Sequence, residues 1–244
     1  AAGQRGTDAF SYTVHDGHGG SSTAQVQVSV EGRNDAPVAV ADAVAASAGT
    51  RLTIAAATLL ANDADIDTGD AVHVIGVDAA GATGAVGFDG TAITWDPLDR
   101  FRGLSEGETA TDTFSYRVGD DGGAVASGSV AVTVHGVNDR PVALADAGTT
   151  DEDTAVTLHV LANDTDPDLH DRLSVSSLDT SGTAGKVTIG DDGSLLYDPR
   201  GAFDALNAGD VAYDTFRYRI ADGHGGTDEA SVTVTISGRL DAER

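Results

Sequence analysis

The hexapeptide Thr111-Asp112-Thr113-Phe114-Ser115-Tyr116 is one of three closely similar stretches in this chain of 244 residues. It occurs earlier as Thr7-Asp8-Ala9-Phe10-Ser11-Tyr12 and later as Tyr213-Asp214-Thr215-Phe216-Arg217-Tyr218. Counted from aspartate to aspartate, the spacings are 112 − 8 = 104 and 214 − 112 = 102 residues. A period of this length is the size of one small domain, so the chain is predicted to consist of repeated domains.

Two further motifs repeat in the same order. Asn34-Asp35-Ala36-Pro37 returns as Asn138-Asp139-Arg140-Pro141, and Leu60-Ala61-Asn62-Asp63-Ala64-Asp65-Ile66-Asp67 returns as Leu161-Ala162-Asn163-Asp164-Thr165-Asp166-Pro167-Asp168. The phase of these motifs predicts two complete domains. The expected segments are a partial repeat at 1–33 that matches only the last third of a domain, domain 1 at 34–137, domain 2 at 138–238, and a tail at 239–244.

The pattern around each hexapeptide predicts strands. Apolar and polar residues alternate in the segments 24–30 and 230–236, a period of two that is typical of half-buried antiparallel strands. A turn rich in Asp and Gly, such as Asp222-Gly223-His224-Gly225-Gly226, separates each Phe-x-Tyr strand from the next, which indicates a closing β-hairpin. The sequence therefore predicts an all-β protein made of two tandem Ig-like Greek-key β-sandwiches, with Tyr116 and Tyr218 as corner residues.

Composition excludes several classes of function. The sequence has 14 basic and 39 acidic side chains and a formal net charge of −25, which argues against a nucleic-acid partner. No apolar run approaches the roughly 20 residues of a membrane span, so membrane insertion is not expected. Cysteine is absent, which removes disulfides, thiolate zinc sites and cysteine nucleophiles.

Each complete domain carries an acidic stretch at equivalent positions, 62–70 and 163–171. Each stretch places four aspartates within nine residues: Asp63, Asp65, Asp67 and Asp70 in domain 1, and Asp164, Asp166, Asp168 and Asp171 in domain 2. Two carboxylates about 4 Å apart repel by about 4 kcal/mol at an effective dielectric near 20, so a folded loop that holds several of them inward is strained without a cation. Solvated acidic turns are the alternative interpretation, but repetition at equivalent positions favours a metal site.

Calcium is the cation that suits such ligands, because it prefers about six to eight oxygen atoms. An EF-hand loop is excluded, since its sixth position requires glycine and its twelfth requires glutamate. Domain 1 has Thr68 and Val74 at those positions, and domain 2 has Leu169 and Val175. We therefore expect Ca²⁺ as the cofactor, bound in a site of a different type.

Taken together, the motifs resemble the cadherin-like tandem domains of large bacterial adhesins and of surface proteins exported by type I secretion. The motifs concerned are Asn-Asp-x-Pro, Leu-x-Asn-Asp-x-Asp-x-Asp, and Phe-x-Tyr with its Asp/Gly turn and closing strand. They cover both complete domains and the partial repeat. A narrower similarity is to the small rhizobial adhering (Rap) proteins, which are secreted calcium-binding lectins with two cadherin-like domains that recognise acidic exopolysaccharide.

The resemblance implies a set of calcium ligands and a function. Its ligands fall on Asp63 and Asp65, on Asp164 and Asp166, on the entrance residues Asn34, Asp35, Asn138 and Asp139, and on Asp120 and Asp222. It implies a protein that is extracellular or on the bacterial cell surface, that binds an acidic polysaccharide or cell-surface glycan, and that acts in adhesion or biofilm matrix without catalysis. The alternative is a passive, calcium-stiffened extender within a larger surface adhesin. Domain 2 has Asp151-Glu152-Asp153 where domain 1 has Ser47-Ala48-Gly49, so unequal calcium binding is expected.

Signals for catalysis and for direct glycan stacking are weak. The stretch 103–107 matches the Gly-x-Ser-x-Gly pattern, but its equivalent 205–209 lacks serine and neither precedes a helix. The histidines show no paired spacing for a metal. Trp95 could stack on a sugar, as aromatic residues often do at binding surfaces, whereas its counterpart Tyr197 favours a structural aromatic at the end of a strand.

Overall fold

The computed structural model describes residues 4–240, so residues 1–3 and positions 241–244 of the predicted tail lie outside the described residues. Within this range the chain forms sixteen strands, one single-turn α-helix and one 3₁₀ turn, which confirms the predicted all-β class. It divides into two compact units. Unit 1 contains the residues up to 100 together with 111–134, and unit 2 contains 101–110 and the residues from 135 onward. Because this division assigns 101–110 to unit 2, the sequence-based boundaries 34–137 and 138–238 stay a prediction.

The first two strands form a separate hairpin. Strand β1 (Arg5–His15) pairs antiparallel with β2 (Ser21–Glu31), and these two strands make up a sheet of their own. The turn between them contains Gly17 and Gly19, both at positive φ, where glycine avoids the steric clash of a β-carbon.

Apart from the hairpin β1–β2, which belongs to unit 1, the strands of unit 1 form a β-sandwich of two sheets. Its elements are β3 (Asp42–Ser47), β4 (Leu52–Ala55), α1 (Ala56–Leu59), β5 (His73–Asp78), β6 (Ala85–Phe88), β7 (Ala92–Asp96), β8 (Thr109–Gly119) and β9 (Val125–His135). One sheet has the order β3-β9-β8-β5 and the other has the order β4-β7-β6. The strands β8 and β9 correspond to the predicted closing hairpin.

Unit 2 repeats this arrangement. Its elements are β10 (Asp146–Asp151), β11 (Val156–Leu158), the 3₁₀ turn Val160–Ala162, β12 (Ser174–Asp179), β13 (Lys186–Ile189), β14 (Leu195–Asp198), β15 (Val211–Ala221) and β16 (Thr227–Ser237). The sheets have the orders β10-β16-β15-β12 and β11-β14-β13. Strand β10 runs parallel to β16, whereas β12 and β16 are each antiparallel to β15.

The core lies between the two sheets of each unit. Alternate residues of the closing hairpins point inward and are buried, as the period of two predicts, and each unit adds one large aromatic residue from the opposite sheet, Trp95 or Tyr197. The Tyr116 hydroxyl donates a hydrogen bond to the Val40 carbonyl (3.0 Å), and the Tyr218 hydroxyl donates to the Leu144 carbonyl (2.9 Å). Each tyrosine thereby fastens the entrance segment of its unit to the sheet.

A buried aspartate organises the hydrogen bonds between the sheets. Asp112 accepts hydrogen bonds from the backbone N–H groups of Thr83 and Gly84 and from Trp95 Nε1, each at 2.8 Å. Asp214 does the same in unit 2, where it accepts from Gly185 N (2.9 Å) and from the Tyr197 hydroxyl (2.7 Å). This explains why the repeated hexapeptide keeps an aspartate two residues before its phenylalanine.

Close packing against the corner tyrosine yields a test of the core. A β-carbon at Gly128 would lie 2.5 Å from the ring of Tyr116, whereas one at Gly76 would meet no atom within 4 Å. We expect Gly128→Ala to destabilise unit 1 by about 2 kcal/mol through overpacking, and Gly76→Ala to change its stability by less than about 0.5 kcal/mol. Urea unfolding followed by the fluorescence of Trp95, the single tryptophan of the sequence, measures both. Equal stabilities for the two variants would contradict the packing described here.

Candidate metal centre

Two consecutive turns shape the acidic loop of each unit. In unit 1, Asp65 Oδ1 accepts a hydrogen bond from Asp67 N (2.7 Å), and the Asp70 N–H then donates to the Asp67 carbonyl (3.2 Å). Unit 2 has the same two bonds, from Asp168 N to Asp166 Oδ1 (2.9 Å) and from Asp171 N to the Asp168 carbonyl (3.2 Å). Aspartate side chains favour such turns because they can bond to a backbone N–H two residues ahead. The spacing Asp-x-Asp-x-x-Asp therefore folds its carboxylates toward one point.

The turns bring carboxylate oxygens together in both units. Asp65, Asp67 and Asp70 each offer an oxygen that lies within 4.8 Å of the others. In unit 2 the equivalent grouping contains Asp166, Asp171 and Asp222, the last of which follows β15. Among the described residues, these two groups bring three carboxylates close enough together to hold a metal ion.

Several oxygens of these groups, of the entrance asparagines and of Asp168 are buried without any hydrogen-bond donor. In unit 1 they are Asn34 Oδ1, Asp65 Oδ2 and Asp70 Oδ2, and in unit 2 they are Asn138 Oδ1, Asp166 Oδ2, Asp168 Oδ1 and Asp171 Oδ1. Three of these positions are equivalent in the two units: the entrance asparagine and the first and last aspartates of the turn. Buried polar atoms in folded proteins are normally paired, and the atoms left over here are all acceptors. Such a set fits a cation and cannot be satisfied by a further carboxylate or carbonyl.

The pKa values of the loop aspartates also favour a bound cation. Desolvation raises the pKa of Asp70, and the carboxylates of Asp67 and Asp65 raise it further. Desolvation also raises the pKa of Asp166 and of Asp168, and repulsion from Asp171 and Asp222 acts in the same direction. The charged forms of these groups are therefore disfavoured in the absence of a compensating positive charge.

The entrance asparagines link the acidic loops to the closing hairpins. Asn34 Nδ2 donates to Asp120 Oδ2 (2.9 Å), and Asn138 Nδ2 donates to Asp222 Oδ2 (3.0 Å). Desolvation tends to raise the pKa of Asp120, but the hydrogen bonds from Asn34 and from Ala124 N outweigh it and lower the pKa. Both amides thus turn their nitrogens toward a carboxylate, and their oxygens are buried without a donor.

The second entrance residues reach the cluster through the backbone. The Asp35 N–H donates to Asp67 Oδ2 (2.8 Å), and the Asp139 N–H donates to Asp168 Oδ2 (2.7 Å). The carboxylate of Asp139 accepts a hydrogen bond from Arg102 Nε (3.2 Å), which also belongs to unit 2. The structure therefore places Asp139 beside the site with its side chain engaged elsewhere.

Asp63 and Asp164, the first aspartates of the two stretches, lie apart from these groups. The Asp63 carboxylate accepts hydrogen bonds from the Val40 N–H (2.7 Å) and from the Tyr116 hydroxyl (3.0 Å). Asp164 accepts from Leu144 N (2.8 Å) and from the Tyr218 hydroxyl (3.1 Å). The structure thus gives both aspartates partners in the tyrosine corner.

Trp95 and Ser105 are placed where neither can act on a ligand directly. Trp95 is 0% exposed, and its Nε1 donates to Asp112, so its ring offers no face to a sugar. The physical reason is its inward position on β7, which makes it a core residue of the kind its counterpart Tyr197 suggested. Ser105 is also buried, and its hydroxyl has no hydrogen-bond partner among the described residues.

The two sites differ at one neighbouring residue that the sequence reasoning did not assign. His224 Nδ1 lies 2.9 Å from Asp171 Oδ2, and this hydrogen bond raises the pKa of the histidine. Unit 1 has Gly122 at the equivalent position, 102 residues earlier. Glu152, by contrast, is near the end of β10 that pairs with Ser237, opposite the Asp222 turn, and is therefore no part of the unit 2 cluster.

Comparison with known proteins agrees with this architecture. Residues 138–238 match the family described as bacterial cadherin-like domain, and residues 1–29 and 34–133 match the family described as bacterial Ig domain. The calcium-binding lectin RapA2 of Rhizobium johnstonii is 31% identical over 150 residues, which cover 56% of this chain and 63% of the relative. The match thus spans less than two thirds of that protein.

A solved structure shows the same fold. Repeats EC22–24 of mouse cadherin-23 are similar with a TM-score of 0.54 and 16% identity, over 95% of this chain and 74% of that structure. Within residues 4–240, no helix is long and apolar enough to cross a bilayer. The family matches cover more than half of the chain, and they confirm the resemblance found in the motifs. The chain therefore belongs to the bacterial Ig and cadherin-like domains.

Proposed function

We propose that each unit binds calcium at its acidic loop. The observation that carries this proposal is the set of buried acceptor oxygens without donors, which recurs at three equivalent positions in the two units. The proposed ligands are Asn34, Asp65, Asp67, Asp70 and Asp120 in unit 1, and Asn138, Asp166, Asp168, Asp171 and Asp222 in unit 2. The entrance residues Asp35 and Asp139 support the site through their N–H groups.

The chemistry of this donor set favours calcium over magnesium. All the proposed side-chain ligand atoms are oxygens. Each carboxylate can bind the ion through one or both of its oxygen atoms, which allows a coordination number of six to eight. Magnesium demands a smaller, nearly ideal octahedron and loses its water reluctantly. A bound dication would neutralise the repelling carboxylates and would hold the entrance segment, the acidic loop and the turn of the closing hairpin together.

We further propose that the chain is a non-enzymatic adhesion protein of the bacterial exterior that binds an acidic exopolysaccharide and contributes to biofilm matrix. Support comes from its membership of the cadherin-like and Ig domains and from its similarity to a protein named a calcium-binding lectin. The whole relative is longer than the matched region, so its glycan binding is carried over here as a hypothesis.

The net negative charge of the chain opposes binding of an acidic glycan. A formal charge of −25 repels a polyanionic glycan, and at physiological salt this repulsion extends over about 8 Å. Bound calcium reduces the repulsion, and a calcium ion at the acidic loops can share a coordination position with a sugar carboxylate or hydroxyl. Binding of an acidic polysaccharide should therefore require calcium.

Binding of immobilised acidic and neutral polysaccharides is the test, measured with about 5 mM calcium, with the same concentration of magnesium, and with EDTA. We expect the acidic polysaccharide to be retained in calcium, weakly in magnesium and not in EDTA. Calorimetric titration of the same sample with calcium alone should show binding to both units. Equal retention in EDTA would refute the calcium requirement. Calcium binding without retention of any glycan would assign the chain to the passive extenders.

A further inference from the structure

The N-terminal hairpin keeps the inward-facing sequence of the complete units. Subtracting 8 from 112 and from 214 gives offsets of 104 and 206, and these offsets map Phe10 and Tyr12 onto Phe114 and Tyr116, and onto Phe216 and Tyr218. They also map the alternating segment 24–30 onto 128–134 and 230–236. The hairpin therefore carries the apolar face of a β-sandwich.

This face is exposed in the hairpin and covered in both units. Phe10 is 56% exposed and Tyr12 is 49% exposed, whereas Phe114 is 2% and Tyr116 is 0% exposed. In the complete units this face packs on the second sheet of the sandwich. The covering residues therefore come from the first two thirds of the repeat, the part that contains strands equivalent to β10–β14.

Three polar residues of the hairpin also lack the partners that their equivalents have. Asp8 corresponds to Asp112 and Asp214, which accept hydrogen bonds from two backbone N–H groups and from the aromatic residue of the second sheet. The Tyr12 hydroxyl corresponds to that of the corner tyrosines. Asp16 corresponds to Asp120 and Asp222, which bond to the entrance asparagines.

The two outer edges of the hairpin correspond to strand edges that are paired in unit 2. In unit 2, β16 pairs with β10 through residues 232–237, and β15 pairs with β12 through residues 217–221. Their equivalents in the hairpin are 26–31 on β2 and 11–15 on β1. Neither edge has a partner strand among residues 4–240. A sheet edge with unpaired backbone groups beside an open apolar face is a site for strand addition.

We propose that the hairpin β1–β2 is a docking surface for a polypeptide segment that carries the first two thirds of a cadherin-like repeat and lacks its own closing hairpin. Such a segment supplies an apolar second sheet, two edge strands, an aromatic donor for Asp8, an entrance carbonyl for the Tyr12 hydroxyl and an asparagine for Asp16. The inference does not depend on the proposed calcium or glycan binding.

A second copy of the same hairpin fits this surface poorly. Stacking two such faces would bury two Asp8 carboxylates without the N–H donors that hold Asp112 and Asp214, and an unpaired buried charge is strongly unfavourable. The faces of units 1 and 2 in a second copy are already covered by their own sheets. The hairpin surface therefore favours a repeat that lacks its own closing hairpin over a second copy of this chain.

To test the proposal, such a segment is attached covalently to the full chain. Residues 138–206 are duplicated in front of residue 1, because the offset of 206 makes residue 1 the equivalent of residue 207. Covalent linkage gives the segment a high effective concentration. Hydrogen exchange of the amides in 11–15 and 26–31 is then compared between the extended and the original chain. We expect exchange to slow by about 100-fold or more in the extended chain, since these amides enter a cooperative sheet.

Two substitutions in the extended chain provide matched controls. Val26→Asp, whose equivalents Val130 and Val232 are buried, should abolish the added protection, whereas Gln25→Asp, whose equivalent Ser231 is exposed, should leave it intact. Exchange in β8, β9, β15 and β16 verifies that units 1 and 2 remain folded. Unchanged exchange in the hairpin of a chain whose units are folded would overturn the proposal. A dimer of the original chain that Val26→Asp dissociates would also overturn it, because the occupant would then be a second copy.

Discussion

Replacing Asp166 and Asp171 together by asparagine is expected to move the melting temperature of unit 2 in opposite directions with and without calcium. In EDTA the variant should melt above the original chain, because two of the mutually repelling carboxylates become neutral. In calcium it should melt below the original chain, because two proposed ligands have lost their charge. The turns should survive, since the asparagine Oδ1 can still accept the Asp168 N–H.

The expected sizes follow from simple arithmetic. Carboxylate oxygens that lie within 4.8 Å of one another repel by about 3.5 kcal/mol or more at an effective dielectric of 20, and solvent reduces this to a gain of about 1 to 2 kcal/mol in EDTA. For a dissociation constant of about 0.1 mM, about 5 mM calcium stabilises the original unit by about 2 kcal/mol. For a domain of this size, that corresponds to roughly 10 °C that the variant should fail to gain.

Differential scanning calorimetry resolves the effect, and unit 1 is the internal reference. Trp95 is the single tryptophan and belongs to unit 1, so its fluorescence should keep the original response to calcium. The charge-matched control is Asp153→Asn with Asp191→Asn, which removes two exposed carboxylates of unit 2 outside the cluster. If the control also melts higher than the original chain in EDTA and lower in calcium, general charge repulsion explains the effect and the ligand assignment is wrong.

Sequence periodicity was sufficient to predict the β-sandwich class because burial in a strand follows a period of two. The hairpin β15–β16 buries Phe216, Tyr218, Val232 and Val234 on one face, as the alternation predicts. The phase of the repeat also predicts that residues 1–33 are the equivalent of a closing hairpin, and the described part of this segment contains the strands β1 and β2. The exposure of Phe10 and Tyr12 follows from the same reasoning, since two strands alone cannot cover an apolar face.

Sequence spacing alone could not tell which aspartates turn toward one another. Asp63 and Asp65 are two residues apart, yet the first bonds to the Tyr116 hydroxyl and the second lies in the cluster. The difference arises from partners about 50 residues away in sequence, which no local pattern contains. Trp95 illustrates the same limit, because only the fold reveals that its indole N–H is directed at Asp112.

Asp112→Ala is expected to be among the most destabilising single substitutions in unit 1, at about 4 kcal/mol. The change removes the acceptor shared by Thr83 N, Gly84 N and Trp95 Nε1 in a region closed to water. A buried donor that loses its acceptor costs about 1 to 3 kcal/mol. Asp89→Ala is the matched control in the same unit. Asp89 also accepts three hydrogen bonds, from Thr91 N, Thr91 Oγ1 and Ala92 N, but it is exposed, so water can replace it.

The acidity of Asp112 adds a pH signature that a simple packing defect would lack. Burial tends to raise the pKa of Asp112, but hydrogen bonds from Thr83, Gly84 and Trp95 outweigh it and lower the pKa from its ordinary value. A group whose pKa is lowered by folding contributes stability that is fully present above its unfolded pKa and is lost as the pH falls through its folded pKa. Urea unfolding monitored by Trp95 fluorescence should therefore show the full difference between the original chain and Asp112→Ala at pH 5 to 7. The difference should shrink below about pH 3.8, where the original chain loses its advantage. A difference that stays constant down to pH 2.5 would mean that Asp112 acts through its volume and not through its charge.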